Sequence, residues 1–294
     1  MQVYLNDKVV PSAEAKISVF DHGFLYGDGI YETMRAYDGV VFMIDEHMRR
    51  LHRSASLIGL DIGKSSDELK LAIFETMQAN NLSAAYIRMT ISRGAGAIGL
   101  DPALCKVPTL VVMAHEFRDY PKSYYEEGLR LIISSVRRNI KEALNPQIKS
   151  LNFLNNILAK IEAIKADVDE SLMLNAAGFL AEGTISNIFF VKDDILCTPS
   201  VECGILDGIT RTIVLDLASR TGITVKEGEF RPEDLYAASE VFITNSTMEV
   251  MPVRRVDDKH FKAGEVSKLL LSKYRDEVRG YIREKKGESP SLWE

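Results

Sequence analysis

Three cysteines in 294 residues, Cys105, Cys197 and Cys203, are too few and too odd in number for a disulfide framework. They show no Cys-x-x-Cys spacing and few histidines lie near them, so no metal site is expected and they read as ordinary thiols. No apolar run approaches the length of a membrane span. The N-terminus, Met1-Gln2-Val3-Tyr4-Leu5-Asn6-Asp7, has neither the basic region nor the apolar core of a signal peptide. Cytoplasmic residence without a membrane partner is the expectation. A long basic stripe is also missing and the net charge is −6, which argues against nucleic acid or an anionic lipid surface as the main partner. Local basic clusters do occur, at Arg49-Arg50 with Arg53 and at Arg137-Arg138. There is no internal repeat and no low-complexity segment. What is present is a chain with 46% apolar residues, long enough for two modest domains with their own cores.

Along that chain, Val3-Tyr4-Leu5 and Val9-Val10 flank Asn6-Asp7-Lys8 as an opening β-hairpin, and a glycine-rich segment follows. Asp45 is placed to cap a helix that runs through His47, Arg50, Leu51, Ser54, Ala55 and Ile58 and stops at Gly59. Residues 67–80 repeat the helical pattern, and residues 85–91 and 109–114 read as strands. Apolar periodicity lapses over Arg118-Asp119-Tyr120-Pro121-Lys122-Ser123 and resumes at Gly128, so the domain boundary falls near Pro121, dividing residues 1–120 from 121–294. Beyond it the pattern predicts a helix over 154–166, strands at 172–174 and 188–191, a helix over 210–219 ended by Gly222, and a strand at 241–244. The tail after Gly264 reads as helical. Strands and helices mix without strict alternation, which favours an α+β fold over a doubly wound parallel sheet.

Chemistry concentrates on Lys149, in Ile148-Lys149-Ser150-Leu151-Asn152, and Glu182, in Ala181-Glu182-Gly183-Thr184. An amine able to form a Schiff base and a carboxylate able to pair a pyridinium nitrogen are what pyridoxal phosphate most needs from a protein. Lys149 ends an extended segment just before a helix. Desolvation and a cationic neighbour would lower its pKa and leave an amine that shuttles protons. Glu182 lies in a Glu-Gly-Thr turn leading into a strand from Asn187. The bland readings are a surface lysine and a solvent-facing hairpin. For a phosphate, Gly208-Ile209-Thr210-Arg211 opens an amphipathic helix whose first amides can bind an anion, and Thr210 adds a hydroxyl. Arg50 borders the buried face of its helix and offers a planar fork, whereas Arg49 and Arg53 read as solvated. Ser246 and the amide of Thr247, just after a strand, are further anion contacts.

These stretches together resemble the class IV (fold type IV) pyridoxal phosphate enzymes, the group of branched-chain aminotransferases, D-amino-acid aminotransferases and aminodeoxychorismate lyases. The resemblance is carried by residues 20–32, His47-Met48-Arg49-Arg50-Leu51, Lys149-Ser150-Leu151-Asn152, Ala181-Glu182-Gly183-Thr184, Gly208-Ile209-Thr210-Arg211 and the Ser246 turn closed by Met251-Pro252-Val253, over nearly the whole length. It implies Lys149 as the Schiff-base lysine, Glu182 as the partner of the pyridine nitrogen, and Arg50, Ile209, Thr210 and Ser246 as the phosphate cradle. It also implies a small α/β N-terminal domain, a larger pseudo-barrel C-terminal domain with the cofactor between them, and a site completed in a homodimer or higher homo-oligomer. Within the group, Tyr86-Ile87-Arg88 and the glycine-spaced run from Arg93 to Pro102 resemble the branched-chain enzymes. Tyr26 and Arg88 then border the substrate carboxylate and Tyr31 forms a pocket wall, with Thr247 as a further substrate contact. The cation and histidine that hold the carboxylate in D-amino-acid enzymes are missing after Arg93-Gly94. Phe153 departs from the branched-chain pattern, where a tyrosine is usual and donates a hydrogen bond to the cofactor, and Thr244-Asn245-Ser246 resembles the lyases instead. The implied reaction is amino transfer between an L-amino acid, branched-chain in type, and 2-oxoglutarate, with aminodeoxychorismate lyase and then D-amino-acid transaminase as alternatives.

Overall fold

In the computed structural model, which describes residues 1–262 and 264–288, contacts divide the chain into two units. One comprises Met1–Arg118, Ile148–Asn152 and residues 278–288; the other comprises Asp119–Gln147 and Phe153–Glu277.

The first unit opens with the hairpin of β1 (Gln2–Leu5) and β2 (Lys8–Pro11), turned by Asn6 and Asp7, both at positive φ, which these two residue types tolerate. There follow α1 (His22–Tyr26), β3 (Gly29–Tyr37), β4 (Val40–Val41), α2 (Ile44–Leu57), α3 (Ser66–Ala79), β5 (Ala85–Ser92) and β6 (Thr109–Glu116). The strands form one antiparallel sheet in the order β2-β1-β6-β5-β3-β4. Period-two alternation puts Ile30, Glu32, Met34 and Ala36 of β3 on one face, opposite Ile91, Met89, Ile87 and Ala85 of β5. Met48, Leu51 and Ala55 of α2 and Leu69, Ala72 and Ile73 of α3 join the same core. Tyr31, Thr33 and Arg35 therefore point to the opposite face. β3 is the strand that the glycine-rich stretch concealed. Its first residue has to be glycine, because a Cβ there would lie 2.6 Å from the Ile91 carbonyl and 2.7 Å from Leu151. Asp45 does not cap α2: Met43, in the left-handed region, precedes it with no side-chain cap, and Asp45 sits in the first turn, paired with Lys70.

The second unit contains α4 (Lys122–Glu127), β7 (Leu129–Ile133), α5 (Leu154–Lys165), β8 (Glu170–Leu174), β9 (Leu180–Gly183), β10 (Asn187–Lys192) and β11 (Ile195–Pro199). Next come α6 (Ile209–Arg220), β12 (Val225–Gly228), α7 (Pro232–Tyr236), β13 (Glu240–Asn245), β14 (Glu249–Val256), β15 (Lys259–His260) and α8 (Glu265–Glu288). Its sheet runs β12-β11-β10-β13-β14-β7-β8-β9, and β9 pairs with β10 as well as β8. Six strands thus close on themselves, which is the pseudo-barrel of the expected α+β fold. Leu131, Leu172, Ile188, Phe190, Val241, Ile243, Met251 and Val253 belong to its core. Closure satisfies edge strands that would otherwise expose unpaired backbone groups.

Candidate active site

Lys149 lies in the short segment that the first unit takes from residues 148–152. Its amide donates to Ser54 Oγ of α2 at 3.2 Å, and its carbonyl accepts from Tyr31 of β3 at 2.9 Å. Ser150 bridges Ile30, and Leu151 donates to Gly29, so the segment is stitched onto the start of β3. The side chain does not extend into solvent as a surface lysine would: Nζ lies 4.5 Å from the centroid of the buried Tyr31 ring. The Arg88 guanidinium lies 4.1 Å from the same centroid, because Arg88 pairs with Thr33 one step along the same face of β3. One ring therefore holds an amine and a guanidinium. Burial pushes the Tyr31 hydroxyl above its ordinary range, so the ring stays neutral.

Behind this ring, His47, Arg50 and Ser54 form a polar stripe on the buried face of α2. Arg50 donates through Nε and Nη2 to the two oxygens of Glu32, each at 2.7 Å, and His47 Nδ1 lies 2.7 Å from Glu32 Oε2. All three are nearly inaccessible, at 0% for Glu32, 2% for His47 and 7% for Arg50. Burial alone would raise the Glu32 pKa, but the Arg50 charge and the hydrogen bonds from Arg50 and His47 hold it well below the carboxylate range. Burial lowers His47 against the pull of Glu32, which leaves a neutral imidazole beside an ion pair. The two bonds to Glu32 fix the plane of the Arg50 fork. Sequence reasoning named Arg50 and passed over Glu32. The available signal was His47 and Arg50, one helical turn apart, needing a buried anion.

Tyr26 closes α1, and its hydroxyl accepts from Gly99 at 3.2 Å. Arg93 is fully occupied in structure: it grips Asp28 through two nitrogens and donates to the carbonyls of Ile58 and Gly59.

In the second unit Glu182 is buried within β9, not in the turn, which consists of Thr184, Ile185 and Ser186. The solvent-facing hairpin is excluded. Arg138 Nε donates to Oε1 at 2.7 Å, and the Leu206 amide donates to Oε2 at 2.9 Å. Arg138 in turn holds Asn155 at 3.2 Å. The sequence presents Arg138 as half of a basic surface pair; its carboxylate partner lies 44 residues away and leaves no local trace. Register places Glu182, Asn187 and Thr244 in one row across β9, β10 and β13, with their side chains on a common face. The buried Thr244 hydroxyl has no hydrogen-bond partner among the described residues.

α6 starts at Ile209 with Gly208 as its N-cap and no side-chain cap, and Thr210 is buried in its first turn. Arg211 is turned away to Glu227 and the Pro199 carbonyl. Ser246 and Thr247 occupy the β13–β14 turn. Asn245 Oδ1 accepts from the Thr247 amide at 2.9 Å, the Thr247 hydroxyl at 3.0 Å and the Met248 amide at 2.7 Å. The Thr247 amide, read from sequence as an anion donor, is thus directed at Asn245.

The predicted residues fall into separate groups. The first unit joins Lys149, Tyr31 and Arg88, with Arg50 behind them; the second ties Glu182 to Leu206, three residues before Ile209 and Thr210 open α6, with Ser246 and Thr247 in their own turn. The donor types suit a group bearing an aldehyde, a ring nitrogen and a phosphate: an amine on an aromatic ring, a carboxylate beside an arginine, an uncapped helix start with a hydroxyl, and an orphaned threonine hydroxyl.

The family model for amino-transferase class IV matches residues 29–256. A provisional branched-chain-amino-acid aminotransferase of Methanocaldococcus jannaschii is 47% identical over 94% of this chain and 96% of its own. The aminodeoxychorismate lyase of Bacillus subtilis is 32% identical over 97% of each. Among solved structures, the branched-chain aminotransferase of the thermophilic archaeon Thermoproteus uzoniensis with norvaline superposes with a TM-score of 0.91 at 35% identity, covering 98% of this chain and 97% of that one. The chain belongs to the class IV aminotransferases, a pyridoxal phosphate-dependent family, and has their fold.

Proposed function

We propose that the protein transfers an amino group between an L-amino acid with a branched aliphatic side chain and 2-oxoglutarate. The observation that carries this reading is the Tyr31 ring, with the Lys149 amine 4.5 Å and the Arg88 guanidinium 4.1 Å from its centroid. An amine that moves a proton at an α-carbon stands next to a cation suited to a carboxylate. Lys149 would hold pyridoxal phosphate covalently, Glu182 would take its ring nitrogen, and Arg50, Ile209, Thr210 and Ser246 its phosphate. When bound, the cofactor supplies an electron sink for the charge left at the substrate α-carbon. The protein's own residues do the rest. Lys149 accepts the α-proton and returns it to a neighbouring carbon, Arg88 with Tyr26 orients the carboxylate, and Tyr31 and Thr247 line the pocket. A D-amino-acid enzyme is disfavoured because Arg93 is committed to Asp28 and residues 95–100 contain no cation. The lyase stays second on the turn that Asn245 organises. The three unpaired cysteines suit the cytoplasm, and the working form is a homodimer or higher homo-oligomer.

The test is spectroscopic. The holoprotein mixed with L-leucine or L-isoleucine should lose its visible absorbance in one turnover, and 2-oxoglutarate should restore it. No change with these amino acids, together with pyruvate release from aminodeoxychorismate, would replace this reading with the lyase. Lys149→Ala should abolish the visible band and turnover.

A further inference from the structure

Leu206 is gripped on both sides by one row of the barrel. Its amide donates to Glu182 Oε2 at 2.9 Å, and its carbonyl accepts from Asn187 Nδ2 at 2.9 Å. Glu182 and Asn187 are register partners on β9 and β10, at 5% and 6% exposure, and Asn187 Nδ2 also lies 3.5 Å from Glu182 Oε2. Two residues further on is Gly208, the N-cap of α6. A Cβ at Gly208 would lie 2.0 Å from Asn187 Oδ1, so the carboxamide oxygen packs directly on the residue that starts the helix. With no side-chain cap, α6 owes the placement of its first turn to the chain before it, and that chain is held by Glu182 and Asn187.

We propose that Asn187 is a positioning residue that locks the start of α6 to the Glu182 carboxylate, so that anion binding at the helix start and occupancy of Glu182 are energetically coupled. The inference rests on the reading of α6 as a phosphate cradle. A main chain held at both its N–H and its C=O loses torsional freedom, and releasing either contact frees the segment that aims the first-turn amides. Sites joined through a shared contact show non-additive mutational effects.

Inorganic phosphate binding to the full-length apoprotein, followed by 31P NMR or calorimetry, tests this. Asn187→Ala should weaken phosphate binding by about fivefold or more. Glu182→Ala should also weaken it, although deleting a negative charge near an anion site would by Coulomb's law alone strengthen binding. The double variant should bind within about twofold of the weaker single variant. If phosphate binds the wild type and Glu182→Ala leaves affinity unchanged or tighter, the coupling is wrong and the cradle stands. If the wild type shows no phosphate binding, the cradle reading falls and the coupling with it. A second measurement uses only wild-type protein: saturating phosphate should slow hydrogen exchange of the Leu206 amide by about fivefold or more, and an unchanged rate overturns the proposal.

Discussion

Glu32 closes the glycine-rich stretch of residues 20–32, and its two bonds decide the orientation of Arg50. Glu32→Gln keeps the shape and removes the negative charge facing a guanidinium that is 7% exposed. Breaking a buried pair in this way costs about 3–5 kcal/mol, so urea unfolding should show a loss of that size together with weaker uptake of pyridoxal phosphate. A loss below about 1 kcal/mol would be that of an exposed pair and would refute the assignment. The same cluster sets a pH dependence. His47 is held below its ordinary 6.5 and Glu32 below its ordinary 4.5, so on acidification the unfolded chain binds these protons before the native state does. Stability therefore falls with pH, first below 6.5 through His47 and then below 4.5 through Glu32. The stability advantage of wild type over His47→Gln should shrink as pH drops from about 7 to about 5.5. An advantage that stays flat or grows would contradict a neutral native imidazole. At this scale the sequence singles out Lys149, Glu182 and Arg50 because each sits in a short motif. It does not single out Glu32, Arg138 and Asn187, because what defines their contacts is a partner remote in sequence or the packing of a strand.

Elements with a clean period were legible, and those shaped by close approach were not. The spacing of Leu69, Ala72, Ile73 and Met77 marks α3; the apolar pattern points to a start at Asp67, whereas the helix begins at Ser66 under a capping box. Ser65 Oγ accepts from the Glu68 amide at 3.3 Å, and Glu68 Oε2 accepts from the Ser65 amide at 2.8 Å. Ser65→Ala removes one half of that box and should cost about 0.5–2 kcal/mol in thermal or urea unfolding, with activity at permissive temperature unchanged. No measurable loss would mean that solvent caps the helix equally well. β3 escaped notice because Gly29 is demanded by the Ile91 carbonyl and Leu151, contacts that propensity cannot register. β14 carries Pro252, which argues against an internal strand. It is nonetheless bonded to β13 on one side and β7 on the other, with a register shift between Val253 and Arg255 next to the proline.

At the scale of the molecule, composition and pattern point to an α+β protein. The pseudo-barrel is implied by the family resemblance and not by local pattern, since closure depends on four-residue β9 pairing with both β8 and β10. The same scale raises the question of what covers α5. Ala159 and Ala163 are its buried residues, while Leu154, Ile157, Leu158, Ile161 and Ile164 are exposed, at 68, 49, 46, 39 and 66%. The first four of those positions follow the i, i+3, i+4, i+7 spacing of a single helical face, and a surface helix ordinarily turns such a face inward. The first unit has an exposed apolar group of its own: Phe20, Phe24, Ile98, Leu100 and Val107. They lie on segments joined by the Asp21–Ala95 bridge and by bonds from Gly96 to Phe20 and from Gly99 to Tyr26. Fully burying one such side chain contributes about 1.5–3 kcal/mol, so covering two faces of this size favours assembly strongly. The homo-oligomer proposed above would supply a second copy of the chain to cover such faces. Wild-type protein at micromolar concentration should sediment as a dimer or a higher even-numbered oligomer. Ile157→Lys combined with Ile161→Glu should shift it toward monomer, with the far-UV circular dichroism retained because neither site touches the barrel core. Wild-type protein that sediments as a monomer would refute self-association, and an unchanged oligomer in the double variant would move the contact from α5 to the Phe20 and Leu100 face.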